Sequence, residues 1–236
     1  SMNTKSILIL SDTHFPYQIP QYFEWIKKIK EKVKPTMIVH IGDLVDFHSI
    51  SAHLHSAELP NIKYEIKDSI KCIQKLHKIF PGEMKILNGN HDIRIQRLAE
   101  KSAIPNSFLK DINDILEIDK KWNWTWHDKI IVPLPNKNKL FFTHHFNSNV
   151  LSSSKELGMS LVTGHQHTKS SIEYWSSPTA LNFALCTGCS INPKHEAFKY
   201  GKNFIKRPII SVASVIDSSP TIHSMPIVDG KWTGKL

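Results

Sequence analysis

Five strand-like runs of apolar residues in this chain each end in a short cluster of polar residues. The clusters are DTH at residues 12–14, GDLVD at 42–46, GNHD at 89–92, HH at 144–145 and GHQH at 164–167. Glycine, asparagine, histidine and aspartate are poor choices for continuing a strand or filling a core. In an open sheet, ligands collect where the carboxyl ends of neighbouring strands meet. The pattern therefore predicts an α/β fold in which residues distant in sequence converge on one site.

Apolar residues between these clusters recur at spacings that predict alternating strands and helices. Strands are predicted at residues 7–10, 37–41, 85–87, 140–143, 160–163, 181–187 and 208–216. Helices are predicted at residues 21–33, 66–80, 93–101 and 107–117. The first helix joins two strands, which are therefore expected to be parallel, with their C-terminal ends side by side. Trp122, Trp124 and Trp126 alternate as in a strand and are expected to pack a sheet face, with base stacking as the alternative.

Length and composition place few further limits on the fold. With 236 residues the chain can bury a sizeable core, and we predict a single domain over residues 1–236. No apolar run approaches the eighteen or so residues of a membrane span, and the early ILIL run is too short for a signal peptide, so we predict a cytoplasmic protein. Cys72, Cys186 and Cys189 do not form a disulfide framework and are expected to be buried.

Positive charge is concentrated in the second half of the chain. The net charge is +9, and residues 121–236 hold thirteen basic and six acidic side chains, against seventeen and fifteen in residues 1–120. A surface that meets phosphates is expected to have such a composition, and a solvated basic loop is the alternative. The densest basic stretch, which is interleaved with Phe198, Tyr200 and Phe204, contains Lys194, Lys199, Lys202, Lys206 and Arg207.

The polar clusters offer the donor atoms of a metal site. Carboxylate, imidazole and amide groups suit zinc, manganese or iron better than calcium, and the lack of cysteine argues against a closed structural zinc site. Seven or so ligands exceed what one tetrahedral ion needs and suit two ions that share a carboxylate. Two ions about 3.5 to 4 Å apart lower the pKa of a shared water and hold the oxygens of an in-line displacement. The leading reaction is therefore hydrolysis of a phosphate ester.

The ordered motifs DxH, GDxxD, GNHD, H and GHxH, which span residues 12–167, resemble those of the calcineurin-like metallophosphoesterase superfamily, in particular its small bacterial and phage members. The resemblance implies an α/β fold with a mixed β-sandwich flanked by helices, in four α/β/β/α layers. It also implies two divalent metal ions as cofactors. Mn²⁺ is the first choice, with Zn²⁺, Fe²⁺ or Ni²⁺ as alternatives.

Residue by residue, the resemblance implies a role for each motif. Asp43 is implied to bridge the two ions. His145 stands where family members commonly have a glycine, so either histidine of the pair 144–145 is open as the ligand. The remaining implied ligands are Asp12, His14 and His167 for one ion, and Asn90, His144 and His165 for the other.

The resemblance also implies residues that act beside the metals. His91 is expected to stabilise the phosphoryl oxygens and to protonate the leaving oxygen, with Asp92 orienting its ring. Asp46 is expected to support the metal ligands from behind.

Five further side chains are candidates for substrate binding. Arg94 and Arg97 follow GNHD on a predicted helix start and are expected to hold a phosphate, with pairing to Glu100 as the alternative. His48 lies on the loop after the second motif with His53 and His55, and these histidines either line a pocket or are merely solvated.

The leading functional prediction is a phosphodiesterase that acts on nucleic acid or nucleotides, because the basic surplus and an imidazole acid suit a diester. The alternatives are a phosphomonoesterase acting on phosphoproteins or small metabolites, and a non-catalytic scaffold of the same fold.

Overall fold

The computed structural model of the protein describes residues 5–50, 62–200 and 206–236, apart from the side chains of residues 197–200. Its strands are β1 (Ser6–Leu10), β2 (Met37–His40), β3 (Met84–Leu87), β4 (Trp124–His127), β5 (Ile130–Pro133), β6 (Lys139–Phe142), β7 (Ser160–Thr163), β8 (Ser170–Ser176), β9 (Leu181–Thr187), β10 (Ser211–Ile216), β11 (Ser219–Ser224), β12 (Ile227–Val228) and β13 (Lys231–Trp232). Its α-helices are α1 (Tyr22–Val33), α2 (Ile62–Ile79), α3 (Arg94–Lys101), α4 (Ile112–Ile115), α5 (Val150–Leu157) and α6 (Pro193–Tyr200).

The strands form two mixed sheets. The first has the order β11-β10-β1-β2-β3-β4, in which β1 to β4 are parallel to one another and β10 runs antiparallel to β1. The second has the order β5-β6-β7-β9-β8, in which β6, β7 and β9 are parallel and the two edge strands are antiparallel to their neighbours. Strands β12 and β13 form a separate pair. Helical connections between parallel strands confirm the predicted β-α-β arrangement.

Alternating side chains divide the core into layers. Ile7 and Ile9 of β1 pack with Val162 and other residues of the second sheet, whereas Leu8 and Leu10 of the same strand pack with α1 and α2. The outer face of the second sheet is covered by α5. Because side chains of a strand alternate between its two faces, each inner strand contributes to two of these clusters. The four-layer α/β/β/α sandwich is therefore confirmed.

The first helix illustrates how sequence spacing sets this packing. Tyr22, Trp25, Ile26, Ile29 and Val33 are all buried, and they recur every three or four residues along one face of α1. The helix ends where the next residue takes a left-handed conformation with φ of 50°. The following residue is a proline, which disfavours a helical conformation in the residue before it.

One predicted helix was wrong. Residues 107–117 contain a 3₁₀ turn at Asn106–Phe108 and the single-turn helix α4. The side chain of Asp111 accepts a hydrogen bond from Asn113 N at 2.8 Å, so it caps a new helix start inside the predicted segment. The segment has the apolar spacing of a helix, but the cap at Asp111 starts a new helix within it and so prevents one continuous helix.

The cysteine prediction agrees with the structure, and the strand prediction holds for Trp124 and Trp126 but is wrong for Trp122, which lies in a 3₁₀ turn (Lys120–Trp122) before β4. Trp124 is buried on β4, and Trp122 and Trp126 pack partly buried against the same helix-facing core. All three cysteines are free and buried. No helix among the described residues has both the length and the apolar character that crossing a membrane requires.

Candidate metal centre

The five polar clusters meet at the C-terminal ends of β1, β2, β3, β6 and β7, where both sheets open at the same end of the sandwich. Hydrogen bonds join the turns that carry them, from His14 N to Asp43 O at 2.9 Å and from Gly164 N to His144 O at 3.0 Å. His91 N also donates to the side chain of Asp43 at 2.9 Å. The convergence predicted from the strand ends is therefore present.

One group of four side chains gathers around the end of β1. Asp12, His14, Asp43 and His167 each offer a ligand atom within 4.8 Å of all the others. The Nε2 atoms of His14 and His167 are 3.1 Å apart, and His167 Nε2 lies 3.1 Å from Asp12 Oδ2. Asp43 Oδ2 is 3.5 Å from His14 Nε2. These distances are those of donors that surround a common point.

A second group lies beside the first and shares Asp43. His144 Nε2 is 3.2 Å from Asp43 Oδ2 and 3.2 Å from Asn90 Oδ1, and His165 Nδ1 is also 3.2 Å from Asn90 Oδ1. His144 is buried, whereas His145 is exposed and only its ring approaches that of His165, at 4.4 Å between centroids. The structure therefore brings His144, and not His145, to the shared carboxylate.

The separations and the donor types fit metal ions. Nitrogen and oxygen ligands lie about 2.0 to 2.2 Å from a zinc ion, so two ligands of one ion are about 3 to 3.5 Å apart. Neighbouring ligand atoms in both groups have this spacing, and the wider pair, His14 Nε2 and Asp12 Oδ2, is 3.9 Å apart. The donor types and the two groups of ligand atoms together support binding of divalent metal ions.

The tautomers of the histidines strengthen this fit. Asp46 Oδ1 accepts from His14 Nδ1 at 2.7 Å, and Glu196 Oε1 accepts from His167 Nδ1 at 2.8 Å. A carboxylate can only accept, so both Nδ1 atoms carry a proton. In the neutral rings the two Nε2 lone pairs then face each other across 3.1 Å, an arrangement that a cation between them stabilises. The same holds for His144, whose Nδ1 donates to the carbonyl of Ile41 at 3.0 Å.

The clustered carboxylates also raise the pKa values of ligand histidines. Burial alone would lower the pKa of His14, but its interactions with Asp12 and Asp46 raise that pKa to about 9. At His144, the charges of Asp43 and Asp12 outweigh burial and raise the pKa to about 10. A metal ion must displace these protons, so metal binding at this centre is coupled to proton release.

Close backbone approach explains two glycines of the motifs. A Cβ atom at Gly89 would lie 2.1 Å from Asp43 Oδ1, and one at Gly164 would lie 2.5 Å from Asp12 Oδ1. Real side chains do not approach so closely, and any substituent there must displace a carboxylate of the centre. These two positions therefore require glycine because of the ligands beside them.

His91 lies beside the first group, but its partner differs from the one predicted. Its ring centroid is 4.6 Å from that of His14, and its Nδ1 donates to the backbone carbonyl of Asp46 at 2.9 Å. The carboxylate of Asp92 instead accepts backbone N–H groups from Asp43, Val45 and Gly89 at 2.8 to 3.2 Å. The prediction that Asp92 orients the His91 ring is therefore wrong. Its oxygens are engaged by the two turns that it holds together.

Asp46 is a buried hub behind the centre, as expected of a residue that supports ligands. Besides the bond from His14, its Oδ1 lies 3.5 Å from His91 Nδ1, and its Oδ2 lies 3.9 Å from His48 Nδ1 and 3.4 Å from His195 Nε2. These charges and hydrogen bonds outweigh burial and hold the pKa of Asp46 well below its ordinary value. His48 is buried beside the centre, whereas His53 and His55 lie outside the described residues.

The two arginines differ in their surroundings. Arg94 Nη1 donates to the carbonyls of Asp46 at 3.2 Å and Phe47 at 3.1 Å, so this guanidinium ties α3 to the turn that carries Asp46. The alternative, pairing with Glu100, is not what positions it. Arg97 is exposed on α3. Arg94 thus supports the carbonyl that orients His91, and both arginines remain predictions as phosphate ligands.

Two residues that adjoin the centre were not predicted. Glu196 accepts from the ligand His167, and His195 stacks on Tyr17 with ring centroids 3.8 Å apart while reaching Asp46. Both lie in the first turn of α6. The only sequence signal is the Asn192-Pro193 start of that helix, which shows where the helix begins but not what it contacts.

Comparison with known proteins gives a consistent result. A family model described as calcineurin-like phosphoesterase matches residues 5–199. The Gene 54 protein of Mycobacterium phage L5 is 27% identical over 95 residues, which cover 39% of this chain and only 37% of that protein. Vps29 from Chaetomium thermophilum has a TM-score of 0.51 at 12% identity, covering 97% of this chain and 92% of that chain. For Yfce, a phosphoesterase from E. coli, the TM-score is 0.47 at 16% identity, with 93% and 98% covered.

Proposed function

The chain belongs to the calcineurin-like phosphoesterase family, and we propose that it hydrolyses phosphodiesters of nucleic acids or nucleotides at two divalent metal ions. Its family and its clusters of histidine and aspartate support a metal-dependent phosphoesterase. One observation carries the finer proposal: two ligand groups share the buried carboxylate of Asp43, and the imidazole of His91 lies against a ligand of the first group. A paired metal site beside a proton donor is suited to displacement at phosphorus.

The proposed ligand sets follow the two groups. Asp43 is the bridging ligand, and the mixture of carboxylate, amide and imidazole donors favours Mn²⁺, with Zn²⁺, Fe²⁺ or Ni²⁺ as alternatives. Bound ions would supply an activated water and stabilise the charge that develops on the phosphoryl oxygens. The proposed ligands are Asp12, His14 and His167 for one ion, and Asn90, His144 and His165 for the other.

His91 is the proposed general acid. Its Nδ1 donates to the carbonyl of Asp46, so the ring acts as an acid in its imidazolium form, which carries the proton for the leaving oxygen at Nε2. Arg94 donates to the same carbonyl and holds that acceptor in place. An alkoxide is a poor leaving group, and protonation helps its departure. The diester is preferred over the monoester because the net charge of +9 suits a polyanionic substrate.

A substrate comparison tests this proposal. Rates with bis-p-nitrophenyl phosphate and p-nitrophenyl phosphate are measured in Mn²⁺, Zn²⁺ or Ni²⁺, with a chelator control. We expect chelator-sensitive activity with the diester preferred. A monoester preference would instead identify a phosphomonoesterase of phosphoproteins or small metabolites, and two bound ions without turnover of either ester would identify a scaffold. Activity that resists the chelator would refute the metal mechanism.

The general acid has its own test. His91→Ala is expected to lower diester turnover by about 10²- to 10⁴-fold while the metal content stays at the wild-type level. His127→Ala, at the end of β4, is the matched control and should retain activity. Full turnover by the His91 variant with both ions bound would remove this residue from the mechanism.

We also propose that residues 1–236 form a single domain in the cytoplasm. The core between the sheets joins Ile7 of β1 to Val215 of β10, so both ends of the described chain contribute to one sandwich. Three free, buried cysteines suit a reducing compartment.

A further inference from the structure

A groove of about 970 Å³ with a strongly basic rim lies next to the metal centre. It is bounded by the start of α6, by residues 206–210 and by the β12–β13 pair, and we call it the basic groove. Lys194, Lys206, Arg207 and Lys231 line it against a single carboxylate, that of Asp229. All four cations are exposed, and none forms a salt bridge with any described carboxylate. This excess of charge is available to an anionic ligand.

Two chain segments connect the basic groove to the metal centre. Lys194 lines the groove, and Glu196, two residues later on α6, holds the ligand His167. These positions are about 3 Å apart along the helix axis, and their side chains point to opposite sides of α6, Lys194 to the groove and the buried Glu196 to His167. On the other side, Ile209 N donates to the carbonyl of His167 at 2.8 Å, and its neighbours Pro208 and Ile210 line the groove. The groove therefore lies beside the segments that contact His167, a ligand of the first group.

We propose that the basic groove binds a single strand of a polynucleotide whose scissile phosphate lies at the metal centre. This inference rests on the proposed function and specifies its substrate as a polymer. A row of cations suits successive phosphates, whereas a small ester would be held by the centre alone. The wall of the groove also offers the exposed Ile227 and the partly buried Trp232 as apolar surface for bases. A positive groove with such a wall is the usual arrangement for single strands.

The test compares two triple variants with equal loss of charge. The groove variant carries Lys194→Gln, Arg207→Gln and Lys231→Gln. Its control carries Lys27→Gln, Lys71→Gln and Lys78→Gln, three exposed lysines on α1 and α2. Binding of a fluorescent 20-residue oligothymidylate to the metal-loaded proteins is read by stopped-flow anisotropy before turnover consumes the probe. Steady-state hydrolysis of the same oligonucleotide and of bis-p-nitrophenyl phosphate is measured in parallel.

Each phosphate contact of a single strand contributes about 0.7 to the slope of log affinity against log salt. Losing three contacts should therefore lower that slope by about 2 and weaken binding on the order of a hundredfold at about 0.1 M salt. The loss should appear in KM for the oligonucleotide, while the control variant binds like the wild type. Hydrolysis of the small diester should be retained by both variants.

The outcomes separate this proposal from the proposed function. If the wild type hydrolyses the small diester but binds no oligonucleotide, or if both triple variants bind it equally well, the groove proposal is overturned and the phosphodiesterase stands. Tighter binding of polyglutamate than of the oligonucleotide would also overturn it, in favour of an acidic protein partner. If neither ester is hydrolysed, the proposed function fails, and the anisotropy slopes still decide what the groove binds.

Discussion

Replacing Asp46 with asparagine tests whether the buried hub tunes the metal ligands. Asp46→Asn preserves the shape of the side chain and removes its charge. The bond from His14 Nδ1 to Asp46 Oδ1 is 2.7 Å long and fully buried. Hydrogen bonds to charged groups contribute about 1.5 to 3 kcal/mol. At about 1.4 kcal/mol for each tenfold change, the variant should bind the ion of the first ligand group about 10- to 100-fold less tightly. Loss of a carboxylate behind a ligating histidine has effects of about the same size.

The loss should depend on pH in a defined direction. Burial would lower the pKa of His14, but interactions with Asp12 and Asp46 raise it to about 9, so at pH 7 a proton competes with the metal for this ring in the wild type. Without Asp46 the pKa of His14 falls, and that competition weakens. Part of the loss of metal affinity is therefore offset at neutral pH by the weaker competition from protons. We expect the deficit in affinity to be several times larger at pH 8.5 than at pH 6.5.

Isothermal titration with Mn²⁺, which gives affinity and the number of ions per chain, measures this effect. Glu196→Gln should lower the affinity for the same ion, because Glu196 accepts a hydrogen bond from Nδ1 of His167 in the first ligand group. Asp114→Asn, an exposed carboxylate of α4, is the neutral control. Wild-type affinity of the Asp46 variant at pH 8.5, or a deficit that shrinks as pH rises, would contradict the reasoning.

Four further predictions concern the same centre. Gly89→Ala places a Cβ 2.1 Å from Asp43 Oδ1, so it should displace the shared carboxylate and leave fewer than two ions per chain by elemental analysis. His144→Ala should lose an ion while His145→Ala keeps both, because only the buried histidine reaches Asp43; equal metal contents would refute this. Since the pKa of His14 is raised to about 9, metal binding should release protons at pH 7.5, detected by calorimetry in buffers of different ionisation enthalpy. The same raised pKa stabilises the metal-free protein fully below pH 6.5, and this contribution to the free energy of unfolding should disappear as pH rises through about 9.

Local sequence was sufficient to predict the position of residues that lie just after the end of a strand. Asp12, Asp43 and Asn90 each lie two or three residues after the end of a strand, so parallel strands bring them together without further information. Adjacency in sequence was misleading for Asp92, whose oxygens face backbone N–H groups rather than the neighbouring imidazole. A turn reverses direction within a residue or two, so neighbours along the chain point to different partners.

Contacts between distant segments could not be predicted. Glu196 is 29 positions from His167, on a helix whose short length gives no periodic signal. Edge strands were missed for a related reason. Residues of β8 are only partly buried, so their apolar and polar positions do not alternate clearly. A hydrophobic pattern in the sequence indicates only which residues are buried. The Glu196–His167 contact and the edge strand β8 depend instead on how distant segments pack against each other.

The backbone conformation of the centre indicates why its turns need additional hydrogen bonds. His14, Asp43 and His165 have φ values of 48°, 53° and 69°, a left-handed region that costs such residues about 1 to 3 kcal/mol each. The carboxylate of Asp92 offsets part of this cost, because it accepts N–H groups from the turns that carry Asp43 and Gly89. Each strained residue aims a side chain at the shared carboxylate or its neighbours. The strain therefore lies where ligands from different strands must point inward together, and Asp92 stabilises this arrangement from the backbone side rather than through His91.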